Sequence, residues 1–229
     1  MKRQLSLFLS RVVASSLAMV LALSAIGMFL VWVTRSVDSE DIGRQTEIAG
    51  YALKEIRSTL AHNQESSTFW DEAVQRTSTS GNEEWIDGNL GSWMHTFFGV
   101  DEAYVLDGRD LPVYAFAEEQ LKSPAFFESR RDLLRPYLQR LRSGLAAGAK
   151  PTEESREQSI GITDYVYVGG RPAVFSLKPI LSDSGRLAQP LANIRLHVAI
   201  QYLDGAIIDR VGKAHVLEGL RYVPAGEGK

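Results

Sequence analysis

Asp101–Ala117 reads DEAYVLDGRDLPVYAFA, and this stretch decides the fold. Two short runs rich in β-branched and aromatic residues, DEAYVLD and LPVYAFA, flank Gly-Arg-Asp. Asp107-Gly108 is a hairpin turn signal, so Ala103 to Ala117 is expected to form a β-hairpin. A second pair of strands is expected in ITDYVYVGGRPAVFSLKPIL, folded at Gly169-Gly170. ANIRLHVAIQYL, from Ala192, alternates at period two and reads as a fifth strand.

Helical patterns surround these strands. SSTFWDEAVQRTS, from Ser66, sets Phe69, Trp70, Ala73 and Val74 on one side. After the polar break TSTSGN, Asn82 is placed to cap a helix through EEWIDGNLGSWMHTFF. SPAFFESRRDLLRPYLQRLRSGL opens with Pro124 at a first helical position, and Pro136 predicts a kink or a second start. GLAAGAKPTEESREQ reads as an exposed connection. DGAIIDRVGKAHVL is a last short helix, and RYVPAG opens an element the chain does not finish. The order predicts an α+β domain, an antiparallel sheet with helices gathered on one face.

The N-terminal third is different. Val12–Thr34, VVASSLAMVLALSAIGMFLVWVT, holds no charge, and only Ser15, Ser16, Ser24 and Thr34 interrupt it. A bilayer core takes about 20 apolar residues at helical rise, so the run predicts a transmembrane helix. Lys2, Arg3 and Arg11 precede it, and Asp38, Glu40 and Asp41 follow. Positive flanks stay inside, which leaves residues 1–11 cytoplasmic and 35–229 outside. The rival, a cleaved leader, needs an apolar region of about 7–15 residues before a small-x-small site. Ala22-Leu23-Ser24 qualifies, but IGMFLVWV follows it directly. Beyond the span, a long helix is expected from Ser36 to Asn63. Ile42, Thr46, Ala49, Leu53, Ile56 and Leu60 repeat in steps of four and three, a heptad seam. The seam packs either on a second copy, giving a homodimer through 36–63, or on its own domain.

Composition removes several function classes. With 25 basic and 28 acidic residues the chain is near neutral, which argues against a nucleic-acid-binding surface. It has no cysteine, so disulfides, thiolate metal sites and a cysteine nucleophile are excluded. His62, His95, His197 and His215 are scattered without metal spacing, and no nucleophile elbow, phosphate loop or dinucleotide fingerprint is present. No enzyme, metal or cofactor is expected within these residues. Asp101, Asp107 and Asp110 flank turns, where aspartate serves local hydrogen bonding.

The residues expected to bind a ligand are Trp70, Asp71, Trp85, Asn89, Tyr104, Tyr114 and Phe175. Trp85 and Asn89 are four apart and share a helix face. With the Trp70-Asp71 pair they would frame a polar-aromatic pocket, and Tyr104, Tyr114 and Phe175 stand on strands beneath. The competing account gives both tryptophans to packing and Asn89 or Asp71 to a helix end. Arg195 would meet a ligand carboxylate or point to solvent.

WDEAV at Trp70–Val74, NEEWIDGNL at Asn82–Leu90 and GVDEAYVLDGRDLPVYAF at Gly99–Phe116 resemble the fourth class of cyclase/histidine-kinase-associated extracellular sensing domains, the CHASE group. The resemblance implies a PAS-like or Cache-like sheet held between two membrane helices. It also implies an extracytoplasmic sensor for a diguanylate cyclase, phosphodiesterase or kinase. No second apolar span follows Glu218 and no GGDEF-like or EAL-like segment is present, so the chain is expected to be a fragment. The function so implied is a periplasmic sensor of a bacterial inner-membrane receptor, regulating cyclic-di-GMP turnover in response to a small molecule or a periplasmic protein. The alternative is a single-pass envelope protein that binds another protein and no small ligand.

Overall fold

The computed structural model describes residues 2–151 and 158–215; of the side chains before residue 43 it describes 19–21, 23–29 and 32. The chain divides into two units, Met1–Tyr51 and Ala52–Lys229. Helix α1 runs Lys2–Thr68 and contributes residues to both. The predicted span lies within it, and the described apolar side chains there, among them Met19, Leu23, Ile26, Phe29 and Trp32, are exposed. The other side chains of Val12–Thr34 lie outside the described residues, as do residues 152–157 of the connection and the RYVPAG segment. Among the described residues no helix is long and apolar enough to cross a membrane.

The second unit is built on one antiparallel sheet. Its strands are β1 (Glu102–Leu106), β2 (Pro112–Ala117), β3 (Gln120–Lys122), β4 (Ile162–Val168), β5 (Arg171–Pro179) and β6 (Leu196–Tyr202), in the order β3-β2-β1-β6-β5-β4. The two hairpins fall where the turn signals put them. Asp107 Oδ1 accepts the N–H groups of Arg109 and Leu111, at 2.8 and 2.9 Å, which closes the first. The second turns at Gly169 and Gly170, both at positive φ.

Helices cover both faces of the sheet, not one. Leu60 of α1, Val74 of α2 (Asp71–Ser78), Ile86 and Leu90 of α3 (Glu83–Leu90) and Met94 of α4 (Ser92–Phe98) pack on Ala103, Val105, Tyr114, Phe116, Val174 and Ala199. On the other face, Phe127 and Leu134, Leu138 and Leu141 of α5 (Glu128–Ala146) cover Tyr104, Leu106, Phe175, Leu177, Val198 and Ile200. Successive strand residues point to opposite faces, so a strand covered twice is apolar throughout. All five residues of β1 are buried for this reason. The last described element is α6 (Ala206–His215).

Three local departures from the sequence reading have physical causes. The helix expected over 83–98 is two helices, broken at Gly91. A Cβ there would stand 1.7 Å from the Tyr114 hydroxyl oxygen, and that hydroxyl donates to Asp87 at 2.5 Å, so β2 approaches where the helix would continue. Asn82 does not cap α3 with its side chain; its amide donates to the carbonyls of Arg76 and Thr79 and closes the end of α2. Helix α5 runs on through Pro136 without a second start. Gly91→Ala is expected to cost about 1–3 kcal/mol by overpacking. Adding Tyr114→Phe should restore part of the loss, and urea denaturation of the single and double variants measures both.

The heptad seam divides. Leu60 is buried in its own domain with Ile56 beside it, Leu53 is 41% exposed, and the side chain of Ile42 lies outside the described residues.

Candidate functional site

Two cavities meet where β6 hands over to α6. The first, about 300 Å³, is lined by His95, Gly99, Asp101, Glu119, Arg171, Gln201, Tyr202, Asp204, Gly205, Ile207 and Arg210. The second, about 260 Å³, lies between α1 and α6, with Ala52, Ile56, Thr59 and Leu60 on one side, Val211 and Ala214 on the other, and Phe97 and Phe98 of α4 against them. Gln201, Ile207 and Arg210 line both, so the two cavities share a wall, and Glu55 and Asn63 border the second beside its apolar residues.

The polar end is held by paired groups. The Arg171 guanidinium forks onto the Asp204 carboxylate with two 2.8 Å bonds and lies 3.7 Å from the centre of the Tyr202 ring. This fork holds the Asp204 carboxyl below its ordinary pKa. Gln201 Nε2 donates to the carbonyls of Phe98 and Gly99, and the His95 ring meets the Val100 carbonyl at 2.9 Å. Asp101 accepts the Tyr202 N–H at 2.7 Å through one oxygen, and burial pushes its carboxyl pKa up. Arg210 has no hydrogen-bond or ion-pair partner among the described residues, and its guanidinium lies over Gly99, where an added Cβ would come 3.9 Å from Nη2.

The seven sequence-predicted residues stand elsewhere and do not share one cavity. Trp70 and Trp85 pack ring to ring, 5.5 Å between centres, on the α1–α4 face. The Asp71 carboxylate receives the hydroxyls of Ser182 and Ser184, which lower its pKa and tie α2 to that loop. Trp70 and Asp71 border a shallow groove with Gln75, Arg76 and Asn82. Asn89 donates back to the Trp85 carbonyl at 2.8 Å, and Tyr114 is committed to Asp87. Tyr104 and Phe175 are on the opposite face, under α5. Arg195 precedes β6, half-buried at the lip of a groove with Asp107 and Asn193.

Sequence reasoning missed a buried polar seam between the end of α1 and the sheet. Gln64 Nε2 donates to His197 Nδ1 at 2.8 Å and to the His197 carbonyl at 3.0 Å. His197 Nε2 lies 2.9 Å from the Leu90 carbonyl. A carbonyl only accepts, so Nε2 carries the proton and Nδ1 stays a lone-pair acceptor for Gln64. Next along, Glu65 Oε1 receives the N–H groups of Gln158 and Ser159 and the Ser159 hydroxyl, at 2.6–2.9 Å. Lys178 Nζ lies 3.5 Å from the same oxygen and donates to the Ser159 carbonyl. Gln64, Lys178 and His197 are wholly buried. The signal for this seam is parity. Ser176, Lys178 and His197 share the strand face of Val174 and Ala199, so three polar side chains fall on apolar positions.

Burial depresses the His197 pKa to about 4. The unfolded chain, with a histidine pKa near 6.5, then binds more protons than the folded one between those values. Stability is expected to be full above about pH 6.5 and to fall by roughly 3 kcal/mol on acidification to about pH 4. His197→Gln should flatten this interval, as urea titrations at neutral and acid pH would read.

The family model of the CHASE4 domain matches residues 52–223, well over half the chain, and begins where the second unit begins. The chain belongs to the CHASE4 domain family. CHASE domains are extracellular sensing domains of membrane receptors, so this is a sensor domain of a signalling receptor. No curated protein matches the CHASE4 chain. Among the described residues no group of three or more histidine and carboxylate side chains is placed to hold a metal ion.

Proposed function

We propose that this CHASE4 domain is the periplasmic sensor of a receptor anchored in a bacterial inner membrane by Val12–Thr34, and that it controls a cytoplasmic cyclic-di-GMP enzyme. The charge-free run, its basic N-terminal flank and the exposed Met19, Leu23, Ile26, Phe29 and Trp32 support the anchor, since side chains of this size gain about 1.5–3 kcal/mol each on leaving water. The family resemblance supports the cyclic-di-GMP output. The chain itself senses and does no catalysis.

One observation carries the sensing mechanism: the second cavity lies between α1 and α6, the first and last described elements of the domain, and the polar cavity adjoins it at α6. A small molecule held there touches both helices. It favours one arrangement of α6 against α1 by its difference in affinity for the two. A second copy would pair along 36–63, where Tyr51 and Leu53 are exposed.

Thermal-shift screening of the full chain in nanodiscs against a metabolite library tests the sensing step. A ligand should raise the melting temperature of the native chain and fail to do so for Thr59→Trp, which fills the cavity from an exposed position. Ligands that stabilise both equally would place sensing elsewhere, and a library without hits, with a periplasmic protein captured instead, would favour the protein-binding alternative.

A further inference from the structure

We propose that the adjoining cavities bind a small zwitterion with an apolar side chain, its carboxylate on Arg210, its ammonium on Asp101 and its side chain between α1 and α6. The inference rests on the sensor reading above and names the ligand class of that same site.

Charge bookkeeping at the polar end leads to it. Arg171 and Asp204 offset each other's charge in a two-bond fork, and Tyr202 lies against the Arg171 face. Asp101, Glu119 and Arg210 remain. Asp101 receives one backbone N–H on Oδ2, and no described residue donates to its other oxygen. Glu119 has no ion-pair partner among the described residues, and neither has Arg210. A carboxylate desolvated by burial gains from an ammonium placed against it, and a guanidinium with a free fork takes a carboxylate through two bonds. An organic anion alone would meet Arg210 but face Asp101 and Glu119; an amine alone would face Arg210. A ligand carrying both charges satisfies both. Gln201 Nε2 is used by two carbonyls, which leaves Oε1 as a further acceptor on the wall shared by the cavities.

The apolar branch has its own seat. Ile56, Leu60, Phe97, Ile207 and Val211 line the adjoining cavity, and Phe97 is 66% exposed. The two cavities, about 300 and 260 Å³, have room for a free amino acid with an aliphatic or aromatic side chain.

The test is calorimetric titration of the full chain in nanodiscs with L-leucine and L-phenylalanine, beside isocaproate and isoamylamine, which lack the ammonium and the carboxylate respectively, and glycine, which lacks the side chain. At least one of the two amino acids is expected to bind, with each truncated analogue weaker by about tenfold or more. Arg210→Gln, on an exposed side chain, should weaken the amino acid by a similar factor with an unchanged circular dichroism spectrum, and Asp101→Asn likewise. Isocaproate binding as tightly as leucine, with Asp101→Asn silent, would replace the zwitterion by an organic anion. Isoamylamine binding as tightly would replace it by an amine. A panel in which nothing binds overturns the zwitterion outright, whereas the library screen and the membrane topology decide the sensor reading separately.

Discussion

Lys178→Met is expected to destabilise the domain by about 3–5 kcal/mol. Lys178 is wholly buried, and its ammonium sits against Glu65 and the Ser159 carbonyl. Gly161 makes room for its stem, since a Cβ there would come 3.0 Å from Lys178 Cδ and Cε. Removing the ammonium leaves the buried Glu65 carboxylate with three hydrogen-bond donors and no ion-pair partner among the described residues. Breaking one side of such a pair costs far more than the pair itself contributes, because the remaining charge has been taken out of water. Replacing both partners, Glu65→Leu with Lys178→Met, should therefore cost at least about 1 kcal/mol less than the sum of the singles. The same substitution removes the Lys178 bond to the Ser159 carbonyl, so amide exchange at 158–161 should quicken in the single variant. A single variant within about 1 kcal/mol of the native chain would mean that the ion pair holds nothing.

Arg130→Leu is expected to cost about 3 kcal/mol, on the other face of the sheet. The Glu102 carboxylate is 4% exposed and receives four donors: Arg130 Nε at 2.9 Å, Arg130 Nη2 at 2.8 Å, and the hydroxyls of Tyr104 and Tyr202 at 2.6 Å each. Burial raises the carboxyl pKa, and the Arg130 fork with the two phenols more than offsets it, so the net shift is downward. A depressed carboxyl adds stability that is present above its unfolded value, about 4.3, and is lost as pH falls through the folded value. Arg130→Leu should remove that acid-dependent part, while Tyr104→Phe or Tyr202→Phe should cost about 1 kcal/mol each. Denaturation series at neutral pH and below pH 4 separate the three variants.

These two networks account for the limits of what the letters alone convey. The strands are legible because β1, β5 and β6 are rich in β-branched and aromatic residues, and because Asp107-Gly108 and Gly169-Gly170 mark two turns. Strand β3 is not, since its turn is made by Glu118 and Glu119, both at positive φ, where glycine or asparagine is the usual signal. The break at Gly91 depends on a tyrosine 23 residues away, and the seam joins Gln64 to His197 across 133 positions. Neither leaves a local pattern. The expected site residues illustrate the same point. Tyr104 and Tyr114 stand out in the sequence as aromatic strand residues, but their hydroxyls are taken up by Glu102 and Asp87, whereas Arg210 and Asp101 become neighbours of one cavity only when α6 folds back over Gly99.

The display of this domain outside the cytoplasm is the claim on which sensing depends, and the absence of cysteine makes it directly measurable. Lys213→Cys, at an exposed position on α6, and Ser6→Cys, before the apolar run, each give a chain with one thiol. In intact spheroplasts a membrane-impermeant maleimide should label the thiol at position 213 at once and the thiol at position 6 only after lysis. Labelling at position 6 with protection at 213, or recovery of both labelled chains in the soluble fraction, would contradict the account.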